Sequence, residues 1–357
     1  MSGNDKIHYI DWRRLRDFAT EALEKASVIH EDAAIIADTL VEADLRGIDT
    51  HGIIRLAPFA NMLSKGILNP RPTLSIVKES PVTALIDADN GVGNLVSFRA
   101  AEIAIQKAKK SGVGIVGVRN STHNGVLAYY AMMGLKHDMI GFMTTNCPPE
   151  VPAYGGITRL LSTNPMAAAI PAGNELPVVI DMATTVVAGG KVRRAAALGK
   201  KLPPGWGLDR YGEPTDDPNE VLEHGFFAWM GGPKGYGLAV LVNILSGVLT
   251  GGPFSPQTFP PVGRSEYGIP LVREGHFIMM LKIENFMPVA EFKSRMDAMI
   301  KETKASELAK GFSRVYLPGE PEFEQKNQRL KTGIPINPRV WAGLLEVKEK
   351  FGLPSLE

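Results

Sequence analysis

One cysteine, Cys147, is all that the 357-residue chain carries. It can therefore form no intramolecular disulfide and no multi-cysteine metal site, a usage that suits a reducing compartment. Neither charge is in surplus: 39 basic residues face 38 acidic ones, and the net charge is +1. No global field recruits nucleic acid, a membrane surface or a polyanion, so no such partner is expected. The first residues lead to His8 and Asp11 without an apolar run. No secretory signal is read there, and a cytoplasmic location is expected. Long apolar runs are scarce as well. Residues 235–252 are eighteen without a charge, but they include five glycines with Asn243, Ser246 and Thr250. That falls short of the roughly 20 predominantly apolar residues of a membrane span, and a buried core helix is expected instead. No His, Asp and Glu set stands at metal-ligand spacing, and there is no Gly-x-Ser-x-Gly nucleophile elbow. No bound metal is expected.

What is present is an ordinary globular composition, long enough for a sizeable core and more than one lobe. Trp12, Leu15, Phe18, Ala19, Ala22 and Leu23 recur at three- and four-residue spacing after Asp11, which predicts an amphipathic helix capped by that carboxylate. A second helix is expected over 31–45, closed by Gly47, and a third from 52 to 65. The Asn69-Pro70-Arg71-Pro72 punctuation then breaks helix, so 1–72 reads as a helical N-terminal lobe. From Leu74 the period changes. Strands are expected at 82–87, 114–118, 140–145, 178–181 and 276–283, with helices near 97–110 and 125–137 between the first three. Residues 73–309 thus form an α/β domain. The stretches 202–218 and 251–268 have no periodicity, and the first is long enough for a functional or wrapping loop. A long amphipathic helix is expected over 289–309. The tail, 310–357, alternates turns with short helices and is expected to complete the helical lobe.

The densest chemistry lies in Arg46-Gly-Ile-Asp-Thr-His-Gly-Ile-Ile-Arg55. Asp49, Thr50, His51 and Arg55 place a carboxylate, a hydroxyl, an imidazole and a guanidinium within one turn, where His can move a proton and Arg can grip a carboxylate. A helix end followed by a helix start, with Asp49 or Thr50 capping and Arg55 solvated, explains the same residues. Gly112-Val-Gly-Ile-Val-Gly117 matches the Gly-x-Gly-x-x-Gly dinucleotide fingerprint in letters only. That fingerprint needs a strand before and a helix after; here a helix comes before and a strand continues, so Gly112 reads as a helix stop and Gly114 and Gly117 as packing residues. Arg119-Asn-Ser-Thr-His-Asn-Gly125 follows a strand and precedes a helix. Such a place offers unpaired N–H groups to an anion, although capping explains all of it but His123. Thr144-Thr-Asn-Cys-Pro148 and Ser162-Thr-Asn-Pro165 stand at strand ends, where small polar residues line crevices or make turns. Asp181 could accept from a ribose or start a helix. Gly231-Gly-Pro-Lys-Gly-Tyr-Gly237 lacks P-loop order, yet its amides and Lys234 could cradle a phosphate.

Taken together and in this order, Gly47-Ile-Asp-Thr-His-Gly, Arg119-Asn-Ser-Thr-His, Ser162-Thr-Asn-Pro, Asp181-Met-Ala-Thr-Thr, Gly231-Gly-Pro-Lys-Gly-Tyr-Gly-Leu and Leu317-Pro-Gly-Glu resemble the NAD(P)-dependent, non-Rossmann malate/L-lactate dehydrogenase family. Ureidoglycolate and sulfolactate dehydrogenases, diketogulonate reductase and piperideine-2-carboxylate reductase belong to the same family. The resemblance implies a homodimer with an α/β fold: a mixed, largely antiparallel sheet flanked by helices, beside the helical lobe. It implies that Thr50 and His51 form a hydroxyl–imidazole proton relay, with Arg55 and Thr163 at the substrate. His123 matches a position that serves as catalytic base in some members and as cofactor contact in others. NAD or NADP would be held by His123, Asn124, Gly125, Asn146, Cys147, Asp181, Met182, Ala183, Lys234, Leu317, Pro318 and Gly319. The chain departs from the pattern at Thr50, where Ser is common, at Gly189, where Arg is common, at Asn124, where an aromatic is common, and at Cys147, where Ser is frequent.

The expected reaction is hydride transfer between nicotinamide and C2 of a small 2-hydroxy or 2-oxo acid, with His51 as proton carrier. Two other readings remain at this point: reduction of a cyclic imine 2-carboxylate, and a dinucleotide-binding sensor without catalysis. Retention of Thr50, His51, Arg55 and His123 together weighs against the sensor. No basic pair in the sequence decides between NAD and NADP.

Overall fold

The Asp11 carboxylate accepts the backbone N–H groups of Arg13 and Arg14 and so starts the helix Trp12–Lys25. In this computed structural model, which describes residues 6–255 and 273–356, the next helix is His30–Leu45. Two short 3-10 turns, Asp49–His51 and Ile53–Arg55, lead from there into the helix Leu56–Ser64. The third helical segment is thus a tight double turn before it is a helix. Leu15, Phe18, Leu23, Ile36, Leu40 and Leu56 share one apolar cluster with Ile334, Val340, Leu344 and Val347. The strand His8–Ile10 pairs antiparallel with Ile334–Ile336, and the helix Pro338–Phe351 follows, so both ends of the described chain build the same core. The helix Val289–Lys304 stops five residues short of the spacing-based limit of 309. Ser306 turns its hydroxyl back onto the Thr303 carbonyl and ends it.

A seven-stranded sheet makes the second layer, in the order Ser75–Glu79, Thr83–Asp87, Val113–Ser121, Glu274–Lys282, Met139–Thr145, Met166–Ile170 and Val178–Met182. Only Thr83–Asp87 and Val113–Ser121 pair in parallel; every other neighbouring pair is antiparallel. The single parallel pair is the one joined through a long helix, Gly93–Ser111, as a parallel connection requires. Gly112 ends that helix in the left-handed region at φ 83°. A Cβ on Gly114 would fall 1.9 Å from the Ala104 carbonyl oxygen. The fingerprint glycines therefore stop a helix and let it lie against its strand. The central strand, Glu274–Lys282, is nearly continuous apolar sequence buried on both faces. It inserts between two strands that the chain reached long before.

Residues 233–249 correct the expectation of a buried core helix. Pro233–Asn243 is α-helical and runs on into a π turn, Ile244–Val248. One side packs inward through Ala239, Val242 and Ser246, while Leu241, Ile244, Val248 and Leu249 are 45%, 47%, 53% and 63% exposed. The absence of charge here marks an open apolar face. The irregular stretch read at 251–268 lies partly outside the described residues. Among the described residues, no helix is long and apolar enough to cross a membrane.

Candidate active site

Two buried groups hold the turn that carries Thr50, His51 and Arg55. The Asp44 carboxylate accepts the Ile53 N–H at 2.7 Å, and a Cβ on Gly52 would stand 2.0 Å from Asp44 Oδ1, so glycine alone fits there. Burial pushes the Asp44 carboxyl well above its ordinary range, against the pull of that hydrogen bond. From the far end of the chain, Arg329 donates to the Asp44 carbonyl and to the Asp49 carboxylate. Asp49 makes no cap at this turn; it is the acid of an ion pair. Within the frame, Thr50 Oγ1 lies 2.8 Å from His51 Nδ1, and Arg55 Nε donates to the Thr50 carbonyl at 3.1 Å. Arg55 is half-buried and tied to the turn, not solvated.

The sheet supplies the opposite wall. Register places Ser121 beside Glu274, His276 beside Thr145, Thr144 beside Met166, and Met166 beside Met182. One end of the sheet thus gathers the 121–125, 145–147, 163–166 and 181–183 segments. His123 stacks on His51 with ring centroids 5.3 Å apart and accepts the Gly125 N–H on its Nδ1 at 3.2 Å. Its hydrogen therefore sits on Nε2 in the neutral ring. Cys147 hydrogen-bonds Thr163, whose carbonyl accepts the Thr184 N–H. Asn124 and Asn146 are buried and spend their amides on the fold: Asn124 Nδ2 on Ser97 and His276, Asn146 on Pro253 and Gly275. Thr122 likewise caps the helix Gly93–Ser111 through the Gly93 N–H. Asp181 starts no helix of its own; its carboxylate accepts the Ala128 N–H at 2.8 Å from another segment. Met182 closes that strand and Ala183 follows it at the same sheet end. Met230 binds the Thr184 carbonyl, which seats the open Gly231–Lys234 turn beside this end with Lys234 exposed. Leu317, Pro318 and Gly319 lie flush along the outer strand, where Val179 N–H donates to the Pro318 carbonyl.

His51, Arg55, His123 and Cys147 are each half-buried and so keep some contact with solvent. Burial, and then Arg55, lower His51 to about 3. Burial, Arg55 and His51 hold His123 well below the usual histidine range. Both imidazoles are neutral at pH 7. Arg55 itself is lowered by burial and by the charge of Arg193 on the helix Gly189–Ala197. Burial raises the Cys147 thiol, so it is no thiolate. Asp181 keeps solvent contact, yet the protein crowded round its carboxyl raises it to about 6 against the Ala128 hydrogen bond and Arg46.

Three functional candidates escape the motifs. Glu274 is 2% exposed, its Oε2 has no hydrogen-bond partner among the described residues, and burial raises it to about 8. Arg193 folds back over Gly189, where an added Cβ would lie 2.9 Å from its Nη1, and pairs with Glu150 at 3.0 Å. His276, fully buried, bonds Ser121 through Nε2 and Thr145 through Nδ1, joining three strands behind His123. The signal for Glu274 and His276 was an acid and an imidazole opening an otherwise apolar strand. Arg193 gave none beyond its helical phase to Gly189. Among the described residues, no group of three His, Cys, Asp or Glu could hold a metal ion.

The residues at the sheet end suit a dinucleotide by their chemistry: an accessible carboxylate in Asp181 for sugar hydroxyls, and an uncrowded diglycine turn with an exposed Lys234 for phosphates. Comparison with known proteins identifies the family. The sequence profile of the family described as malate/L-lactate dehydrogenase matches residues 10–345. A malate dehydrogenase of Pyrococcus horikoshii is 41% identical over 350 residues, which cover 96% of this chain and 95% of that one. Its solved structure superimposes with a TM-score of 0.89, at 37% identity, over 99% of this chain and 98% of that one. An L-sulfolactate dehydrogenase of Methanocaldococcus jannaschii is 40% identical, covering 93% of this chain and 94% of its own. Ureidoglycolate dehydrogenase (NAD(+)) of Escherichia coli O157:H7 is 33% identical, with 90% of each chain covered. The chain belongs to the malate/L-lactate dehydrogenase family of hydroxy-acid dehydrogenases.

Proposed function

We propose that the protein interconverts a small 2-hydroxy acid and its 2-oxo acid with NAD or NADP, and that His51 is the proton carrier. When bound, the dinucleotide supplies the hydride acceptor or donor. The observation that carries the reading is the 2.8 Å contact of Thr50 Oγ1 with His51 Nδ1 on a turn that also fixes Arg55. With Nδ1–H donating to Thr50, His51 Nε2 keeps its lone pair for the substrate hydroxyl proton. A neutral His51 is ready as a base in the oxidising direction. Pairing of a substrate carboxylate with Arg55 removes a repelling charge and raises His51 for proton donation in the reverse one. His123 has its Nδ1 engaged, so it offers Nε2–H as a donor to the reacting oxygen. Thr163 and Cys147 line the same pocket. Arg55 fixes the carboxylate and hence the face presented to the nicotinamide.

His123 to Gly125, Asn146, Cys147, Asp181 to Ala183, Lys234 and Leu317 to Gly319 form the proposed cofactor track, with Asn124 and Asn146 contributing backbone groups. The helical lobe, 1–72 with 310–357, closes over the 73–309 domain in this reading. The exposed apolar face of the helix Pro233–Asn243 and its π turn supports a homodimer, and the chain's single cysteine and balanced charge support a cytoplasmic location.

The test is a panel of 2-oxo acids, with a cyclic imine 2-carboxylate included, assayed with NADH and with NADPH. Turnover of one or more 2-oxo acids is expected. Replacing His51 by Asn should abolish it while dinucleotide affinity stays within about threefold, since His51 acts on the substrate. Unchanged turnover in that variant would remove His51 from the mechanism.

A further inference from the structure

Glu274 opens the central strand of the sheet, opposite Ser121 in register. It stands between the segment ending at His123 and the segment ending at Cys147, and its Gly275 neighbour is bonded to Asn146. Its charge acts on Arg55 and on Cys147, so it lies within electrostatic reach of both. It is 2% exposed, and among the described residues Oε2 has no hydrogen-bond partner. A buried carboxyl oxygen left without a partner costs free energy, and one kept at a binding site calls for a ligand atom.

We propose that Glu274 is a second ligand of the substrate carboxylate, donating its O–H to one carboxylate oxygen while Arg55 pairs with the other. The inference rests on the hydroxy-acid reading of the Arg55 pocket. The chemistry follows from the protonation state. Burial outweighs Arg55 and raises Glu274 to about 8, so at pH 7 it is a neutral acid with a proton to donate. An acid O–H meeting an ionised carboxylate makes a short, strong hydrogen bond. Once ionised, the same group would repel the substrate and compete for Arg55.

The other charges around the pocket do not imitate this. In the unliganded enzyme His51 and His123 are held low and Cys147 is held high, so none of them changes charge between pH 7 and 9; His51, raised once a carboxylate pairs with Arg55, contributes alike in wild type and Glu274→Gln, so the ratio of their affinities isolates Glu274. His276, next but one on the strand, is lowered to about 3. Arg193 is paired with Glu150, and Arg119, behind Ser121, with Asp87.

The experiment measures binding of oxamate, an unreactive 2-oxo acid mimic, to the enzyme saturated with reduced dinucleotide, by calorimetry from pH 6.5 to 9.5. In the wild type, affinity should fall about tenfold as pH rises through 8, the loss of one charge-assisted hydrogen bond. Glu274→Gln keeps a donor and cannot ionise; it should bind within about threefold of wild type at pH 7 and lose the tenfold component of the fall. Glu274→Ala should bind about tenfold more weakly at pH 7 and lose the same component. A fall as steep in Glu274→Gln as in the wild type, or wild-type affinity in Glu274→Ala at pH 7, would overturn the proposal. Dinucleotide affinity, read by fluorescence, separates the other acceptor in reach: if the Glu274-dependent fall appears there and oxamate binding is flat, the acid serves the nicotinamide carboxamide and the proposal is wrong. Should the wild type turn over no 2-oxo acid with either dinucleotide, the hydroxy-acid reading has failed. A wild type that is active but binds oxamate independently of pH contradicts the Glu274 inference alone.

Discussion

A Cβ added to Gly190 would lie 2.8 Å from Thr50 Cγ2, so the Thr50 methyl rests on bare backbone from the other wall of the cleft. That contact fixes the χ1 of a residue already restricted by branching, and aims the hydroxyl at His51. Thr50→Val keeps the shape and removes the hydroxyl; kcat should fall about 100-fold, the size of a lost proton-transfer partner. Thr50→Ser keeps the hydroxyl and should lose only a few-fold, so steady-state kinetics on the pair separates relay from packing. Equal losses would assign Thr50 to packing. Stability reports separately on Glu274. Its carboxyl is raised in the folded state, so the unfolded chain ionises first: the favourable contribution is complete below about pH 4.5 and is lost as pH rises through 8. The gain in Tm from Glu274→Gln should therefore grow from pH 5 to pH 9 in thermal melts; an unchanging difference would mean that the carboxyl is solvated.

The turn that carries Thr50, His51 and Arg55 depends on an absence of side chain. Gly52→Ala would drive a Cβ into the Asp44 carboxyl at about 2 Å, with the main chain of Ile53 bonded to the same group. A loss of about 3 kcal/mol, at the upper end for overpacking, is expected in denaturant titration, together with loss of turnover. Wild-type stability would show that the turn can shift. What the sequence made legible at this level was local. Asp11 announced a helix start and Gly112 a helix stop, because capping is decided within a few residues. Thr50 and His51 were legible because they are neighbours in the chain. The central strand's place between Val113–Ser121 and Met139–Thr145 was not, since pairing partners are chosen over more than a hundred residues. Glu274 and Arg193 went unread for the same reason: each gains its meaning from Arg55, which only the folded chain brings near. The apolar stretch 235–252 was misread as buried because the absence of charge records dryness, without saying whether this chain or another provides it.

For the molecule as a whole, that apolar face is the feature most in need of a partner. Leu241, Ile244 and Val248 follow one another at helical spacing on the helix whose first turn carries Lys234. A twofold packing of this face on itself would bury it and hold Lys234 steady. Leu241→Glu with Val248→Glu should convert a dimer to a monomer in sedimentation velocity and weaken dinucleotide binding. A dimer that survives both charges would place the contact elsewhere.

The bond from Arg329 to Asp49 spans 280 residues. During synthesis the turn bearing Thr50, His51 and Arg55 emerges early, but its clamp arrives only after the whole sheet has been made, together with the strand Ile334–Ile336 that closes the first core. A chain that stopped short of Arg329 would carry this turn without the clamp on Asp49.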